Sequence, residues 1–334
     1  MILIDTVYIN NGGGKILLDY LISHLENLDE KFFYIFDIRI KPHNYHIKAT
    51  NKIIYLRPNL LDRYDFYNSH RNTFSKVFVL GNIPPLVKLN CTVITYFHSP
   101  LYIQVPKDYT WVEKIKYELK VNVLKYASKN TDRWLVQTEE IKQQFIYKFG
   151  QQSKLEIVPF YPELINQQNV KREKNTFIYV SNAQAHKNHM RLIDAFCKAY
   201  DKSHKGRLIL TVNNAYPKVL DFINIKIKEG YPIENIGFVD RKTLSKWYAK
   251  TEYLIFPSLA ESFGLGLIEA ISMGCKVIGA NLPYTYTVCE PSAVFDPVDI
   301  KSIEETIIQA VHIDLDESKI KVKNDIEFLL DILC

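Results

Sequence analysis

The sequence predicts an α/β protein of two doubly wound parallel-sheet domains. Three observations carry that expectation. Short β-rich runs alternate with segments of helical spacing along almost all of the chain, the pattern of a parallel sheet with helices on both faces. The stretch 160–175 holds prolines, glutamines, asparagines and charges with little periodicity, and a second alternating half begins after it. Each half also contains a strand, a glycine-bearing loop and a helix start in direct succession, at 1–28 and at 253–273. In such sheets ligands bind beyond the carboxyl ends of the strands.

In the first half, 1–9 reads as a buried strand. Asn10, Asn11, Gly12, Gly13, Gly14 and Lys15 form the loop, and Ile16, Leu17, Tyr20, Leu21, Leu25 and Leu28 mark the helix face. Successive glycines let a phosphate or sugar approach the backbone. Their spacing is not that of the dinucleotide fingerprint. Further strands are expected at 32–36, 53–56, 77–80 and 93–97, with a weakly patterned helix over 60–74. His98 follows the last of these strands, at its carboxyl end. It either faces a ligand there or simply caps the strand.

A long helix is expected over 111–129. Trp111, Val112, Ile115, Leu119, Val123 and Tyr126 make one apolar stripe, assigned to the core. Tyr117, Val121 and Leu124 lie off that stripe beside Lys114 and Lys125. That strip is either solvated or suited to an anionic bilayer. A strand at 134–138, a helix at 139–149 stopped by Gly150 and a strand at 155–159 complete the half.

The second half reads strand 177–180, helix 188–200, strand 208–212, helix 219–228, strand 235–239 and helix 243–249. Tyr253 to Phe256 is a buried strand. After it come Pro257, Ser258 and a polar turn with Glu261, Ser262, Phe263, Gly264, Leu265 and Gly266, then a helix, then a strand over 276–279. A helix start after a glycine favours an anion. Glu261 in the loop and Glu269 within the helix add carboxylates, which suit vicinal hydroxyls of a sugar or ribose. The alternative is an ordinary strand, loop and helix with two solvated glutamates. A helix over 301–311 and a short final helix near 326–330 close the chain.

Composition narrows the function classes. Charged residues at 24% and hydrophobics at 47% are ordinary for a soluble globular protein. The net charge of +5 suits anionic ligands or an anionic membrane surface, and is too small to argue for nucleic acid. The five cysteines are scattered without metal-site spacing and read as reduced thiols. The first residues read as a strand rather than a signal peptide, and no apolar run is long enough to cross a bilayer. A cytoplasmic location with any membrane role peripheral is the expectation.

The stretch 257–279 resembles the signature of the retaining GT-B glycosyltransferases of family 4. Glu261 and Glu269 have the characteristic separation of seven intervening residues, and Ser262, Phe263 and Gly264 fit the motif between them. The resemblance covers the second half well and the first half loosely. It implies the GT-B fold, two Rossmann-like domains facing a cleft: 1–160 for the acceptor, a linker at 161–175, 176–315 for the nucleotide sugar, and 316–334 packing back on the first domain.

It also implies roles. The catalytic set is His98, reaching toward the transferred sugar, Lys187, neutralising the leaving diphosphate, and Glu261, orienting sugar hydroxyls. The donor-binding set is Gly13, Gly14, Asn182, Lys187, Phe263, Gly264, Leu265 and Glu269, the last on the ribose. Asn182 stands where the family usually has an Arg, so the usual pair of cations is reduced to Lys187, with His186 and Arg191 near it. His186 and His189 read as surface residues, and Asp314, Leu315 and Asp316 as a solvated turn rather than a metal-binding motif. No metal and no cofactor are expected. The donor is a nucleotide-diphosphate sugar, and the acceptor a saccharide, lipid-linked in surface polysaccharide synthesis. A GT-B nucleotide-sugar 2-epimerase and a catalytically inactive nucleotide-sugar-binding subunit are the rival readings.

Overall fold

A computed structural model describes residues 1–43, 45–106, 109–152, 154–164 and 170–334. The chain forms two compact units. The first comprises Met1–Val105, Tyr109–Pro162 and Lys323–Cys334, and the second Pro106 with Glu163–Val322.

In the first unit, β1 (Ile2–Asp5), α1 (Gly12–Leu25), β2 (Phe32–Asp37), β3 (Lys52–Leu56), α2 (Leu60–Ser69), β4 (Lys76–Val79) and β5 (Thr92–Phe97) follow in order. Then come α3 (Trp111–Ala127), β6 (Arg133–Val136), α4 (Glu139–Phe149) and β7 (Leu155–Ile157). The seven strands are parallel, in the order β3-β2-β1-β4-β5-β6-β7. Strand order therefore reverses between β1 and β4, the switch point where open α/β sheets bind ligands. Leu3, Ile35, Val77, Val79 and Val93 pack with Phe66 and Tyr67 of α2, while Phe97, Trp134 and Val136 pack with Leu124 and Phe145.

The second unit contains β8 (Glu173–Tyr179), α5 (His189–Ser203), β9 (Arg207–Leu210), α6 (Pro217–Lys228), β10 (Ile233–Asn235), α7 (Arg241–Lys250), β11 (Thr251–Phe256) and α8 (Leu265–Ser272). It continues with β12 (Lys276–Ala280), α9 (Pro283–Val288), β13 (Cys289–Glu290), β14 (Ala293–Phe295), α10 (Ile300–His312) and β15 (Lys319–Ile320). Its main sheet is parallel in the order β10-β9-β8-β11-β12-β14, with the reversal between β8 and β11. The last helix, α11 (Ile326–Leu333), belongs to the first unit. Lys76 donates to the carbonyls of Ile332 and Leu333 at 2.8 and 2.7 Å, and Asn324 donates to Tyr161 O at 2.9 Å.

Several expected features differ. Residues 316–322 lie in the second unit, and β8 starts at Glu173, inside the stretch expected as linker; 165–169 of that stretch fall outside the described residues. The strand expected at 235–239 ends where it was to begin, and Phe238 is exposed, because Gly237 takes a left-handed conformation that breaks the strand. The faces of α3 are reversed. Val121, Leu124 and Ala127 are buried, and Tyr117 packs edge-on against Tyr102 and Tyr109. Trp111, Val112, Ile115, Leu119 and Tyr126, assigned to the core, are exposed. Both faces are apolar enough to serve as the inner one, so the choice fell to the surface that the unit offers the helix.

Candidate functional site

The candidate residues form two clusters, one in each unit. In the first unit they gather at the β1/β4 switch point. Asp5 ends β1 fully buried and accepts from Val7 N, Arg63 Nε and Tyr67 Oη at 3.0, 2.7 and 2.6 Å. Arg63 also donates to the carbonyls of Ile83 and Pro84 at 2.6 and 3.2 Å. This buried pair ties the segment after β1 to the segment after β4. A buried charge is tolerated when its hydrogen bonds are satisfied in this way.

The three glycines do not lie in a loop, as expected, but in the first turn of α1. Gly13 is exposed, with nothing near the position its Cβ would take. At Gly14 a Cβ would stand 3.3 Å from His98 Cε1 and 3.4 Å from Ile9 Cδ1. The absent side chain is thus what lets the His98 ring lie against the start of α1. His98 is partly buried. Its Nε2 lies 2.7 Å from Leu80 O, which only accepts, so Nε2 carries the hydrogen. Burial pushes its pKa down, so the ring is neutral at neutral pH. Its backbone N donates to Asn82 Oδ1 at 2.7 Å.

Asn82 (φ 67°) and Tyr8 (φ 85°), both absent from the expected site, are non-glycine residues held in the left-handed region beside this cluster. Tyr8 N donates to Asp37 Oδ2 at 3.2 Å. Gly81 cannot carry a side chain, since its Cβ would sit 2.3 Å from Val7 O. The available sequence signal was Gly81 and Asn82 directly after a strand.

In the second unit the candidates sit at the β8/β11 switch point. Lys187 follows β8, Glu261 follows β11, and Lys187 Nζ lies 2.5 Å from Glu261 Oε1. The two side chains are only 16% and 12% exposed, so water screens the pair weakly. Backbone bonds fix both loops. Leu259 N donates to His186 O at 2.7 Å, and Tyr179 Oη to Lys187 O at 2.9 Å. Asn188, left-handed at φ 62°, donates from Nδ2 to Pro257 O and Pro297 O at 3.1 and 2.7 Å.

Gly264 caps α8 at φ 69°, and its Cβ would meet Leu267 Cδ1 at 3.0 Å, so both conformation and space call for glycine. Leu265 opens α8, where the helix N-terminus presents N–H groups and partial positive charge. Phe263 is buried. Glu269 is also buried, and burial raises its pKa against the opposing pull of Arg241. Arg241 Nη1 donates to Glu269 Oε1 at 2.5 Å, a partner that the sequence pattern did not indicate because it comes from α7. Asn182 Oδ1 is buried with no hydrogen-bond partner among the described residues, a polar atom that a ligand donor can satisfy.

His186 and His189 are buried, contrary to expectation. Burial, then the charge of Lys187, pushes both down to about 3. His189 lies against Tyr179 with ring centroids 4.7 Å apart. No group of three or more potential metal ligands occurs among the described residues. A surface pocket of about 470 Å³ lined by Gln104, Gln143, Gln144 and Tyr147 contains none of the candidate residues.

Residues 160–325 match the family model described as glycosyl transferases group 1. An 88-residue segment is 33% identical to the O-antigen chain mannosyltransferase B of Escherichia coli, covering 26% of this chain and 23% of that protein. The match therefore spans about a quarter of that relative's length. The structure resembles sucrose-phosphate synthase of Thermosynechococcus elongatus at a TM-score of 0.74 and 16% identity, over 92% of this chain and 88% of that one. It also resembles WaaG, a glycosyltransferase involved in lipopolysaccharide biosynthesis, at 0.64 and 14%, over 93% and 90%.

Two Rossmann-like parallel-sheet domains with these neighbours define the GT-B fold. Within that fold, residues 160–325 are the part similar to the glycosyl transferases group 1 family.

Proposed function

We propose that the chain is a retaining, metal-independent glycosyltransferase of family 4. It moves a hexose from a nucleotide-diphosphate sugar to a saccharide acceptor carried on a lipid, in bacterial surface polysaccharide synthesis. The reading places it in the cytoplasm, peripheral to the membrane's inner face. The observation that carries the proposal is the Lys187–Glu261 pair at the β8/β11 switch point, within the segment matching the family model.

In the reaction the bond from the anomeric carbon to the donor phosphate breaks, and a bond to the acceptor oxygen forms on the same face. The acceptor proton leaves with the phosphate. Negative charge grows on the diphosphate as the sugar becomes oxocarbenium-like, so stabilising that oxygen is the main task. Lys187 and the first N–H groups of α8, at Leu265 and its neighbours, supply the positive end. Without ligand, Lys187 and Glu261 satisfy each other. With donor bound, Lys187 turns to phosphate and Glu261 to sugar hydroxyls. Glu269, held by Arg241, takes the ribose, and Asn182 Oδ1 gains a donor from the ligand. Gly13, Gly14 and the neutral ring of His98 serve the transferred sugar. Among the described residues no helix is long and apolar enough to cross a membrane, which is compatible with a peripheral enzyme.

The test is a panel of nucleotide sugars screened by thermal shift, since a ligand of the native state raises its melting temperature. The stabilising donor is then offered with saccharide acceptors and the anomeric configuration of the product is read by NMR. Stabilisation by no nucleotide sugar, or a product of inverted configuration, overturns the proposal.

A further inference from the structure

We infer that the outward face of α3 is a docking surface for an anionic lipid bilayer. The inference deepens the proposed function, since it rests on the placement of the acceptor on a lipid.

A helix on the surface of a globular unit ordinarily turns its most apolar stripe inward. In α3 the stripe of Trp111, Ile115, Leu119 and Tyr126 turns outward, with Trp111 73% and Leu119 62% exposed. The inward face is secured by other residues, Val121, Leu124 and Ala127. Lysines border the outward stripe on both sides. Lys116 follows one edge, and Lys114 and Lys125 the other, as the 3.6-residue repeat dictates. With Lys129 just beyond the helix, four bordering lysines stand against Glu113 and Glu118. Glu113 is already engaged at the helix start, where it accepts from Thr110 N and Oγ1 at 2.9 and 2.8 Å.

The stripe and its border together select the occupant. An apolar face with an indole and a phenol suits the boundary between headgroups and acyl chains, where aromatic rings settle. Lysines beside it extend their stems along the apolar surface and place the ammonium at phosphate depth. Lys129 Nζ already lies 4.4 Å above the Tyr126 ring. The surplus of positive charge is complementary to an anionic surface, and attraction of this kind falls with salt.

The experiment uses the full chain with vesicles of phosphatidylcholine alone and of phosphatidylcholine mixed with phosphatidylglycerol, at low and high salt. Sedimentation with the anionic vesicles at low salt is expected, with little at high salt and little on neutral vesicles. The emission of Trp111 should shift to the blue on binding, and Trp111→Phe should abolish that shift. Ile115→Ser with Leu119→Ser, and separately Lys116→Gln with Lys125→Gln and Lys129→Gln, should each weaken binding about tenfold or more. Their melting temperatures and their thermal response to the stabilising nucleotide sugar should equal those of the unaltered protein.

Absence of binding, binding indifferent to lipid charge, or binding unchanged in both variants overturns the inference. So does concentration-dependent self-association that Leu119→Ser abolishes, which would assign the face to a second copy of the chain. Vesicle binding as expected, in a protein that no nucleotide sugar stabilises, upholds the surface while removing the proposed activity.

Discussion

Lys187 and Glu261, 74 residues apart in sequence, meet at 2.5 Å between the loops that follow two adjacent parallel strands, β8 and β11. If Lys187 stabilises the leaving phosphate, Lys187→Ala should lower kcat about 10²- to 10³-fold, the scale for losing one preorganised partner of a developing oxyanion. Donor affinity should change much less. Steady-state kinetics beside a donor titration separate the two effects. A change confined to KM makes Lys187 a binding residue alone.

Glu269 is the candidate ribose ligand and carries Arg241 on its carboxylate. Glu269→Ala should weaken nucleotide-sugar binding about tenfold or more, since a hydrogen bond to a charged group contributes about 1.5–3 kcal/mol. Arg241→Ala tests the support. Burial raises the Glu269 pKa and Arg241 opposes that rise, so losing Arg241 raises it further. A carboxylate-dependent contact is present above the pKa and lost as pH falls through it. The acid limb of donor binding should therefore move to higher pH in Arg241→Ala. Calorimetric titrations across pH decide, and an unmoved limb removes Glu269 from the donor site.

Gly13 and Gly14 make a paired test in the first unit. At Gly14 a Cβ presses on His98 and Ile9, so Gly14→Ala should shift the His98 ring and lower turnover at least tenfold if His98 serves the transferred sugar. At Gly13 the space is open, and alanine in a helix favours folding by about 1 kcal/mol over glycine. Gly13→Ala should then raise the melting temperature. Full activity in that variant would show that the ligand does not need the bare backbone at Gly13.

The proposed reaction uses Lys187 and the α8 N-terminus where other enzymes use a cation. Activity should survive EDTA unchanged. Loss with EDTA and recovery with magnesium or manganese would refute the metal-free mechanism.

His189 sets an acid limit on stability. Its native pKa is pushed down to about 3, below its ordinary value near 6.5, so the unfolded chain takes up a proton that the native one refuses in that window. Stability should fall as pH drops from about 6.5 toward 3. Both ring nitrogens are buried without hydrogen-bond partners among the described residues. His189→Phe should keep the packing against Tyr179 and flatten that fall. Melting temperatures from pH 7 to pH 4 measure it, and equal slopes for both proteins would show that His189 does not contribute.

The alternation of strands and helices, the glycine at the start of α8 and the spacing of Glu261 and Glu269 were all legible in the sequence. Each is a local pattern: a hydrophobic period, a left-handed cap, or two positions on one loop and helix. The partners of those glutamates were not legible. Lys187 reaches Glu261 only because β8 and β11 pair, and Arg241 reaches Glu269 only because α7 packs beside α8. Tertiary structure also decided which side of α3 is buried, since two faces of that helix had apolar residues to offer and periodicity does not rank them. It placed the glycines of 12–14 inside a helix turn and buried His186 and His189. Local sequence determines what each segment can become, whereas contact between distant segments chooses which side chains lose water and which charges meet.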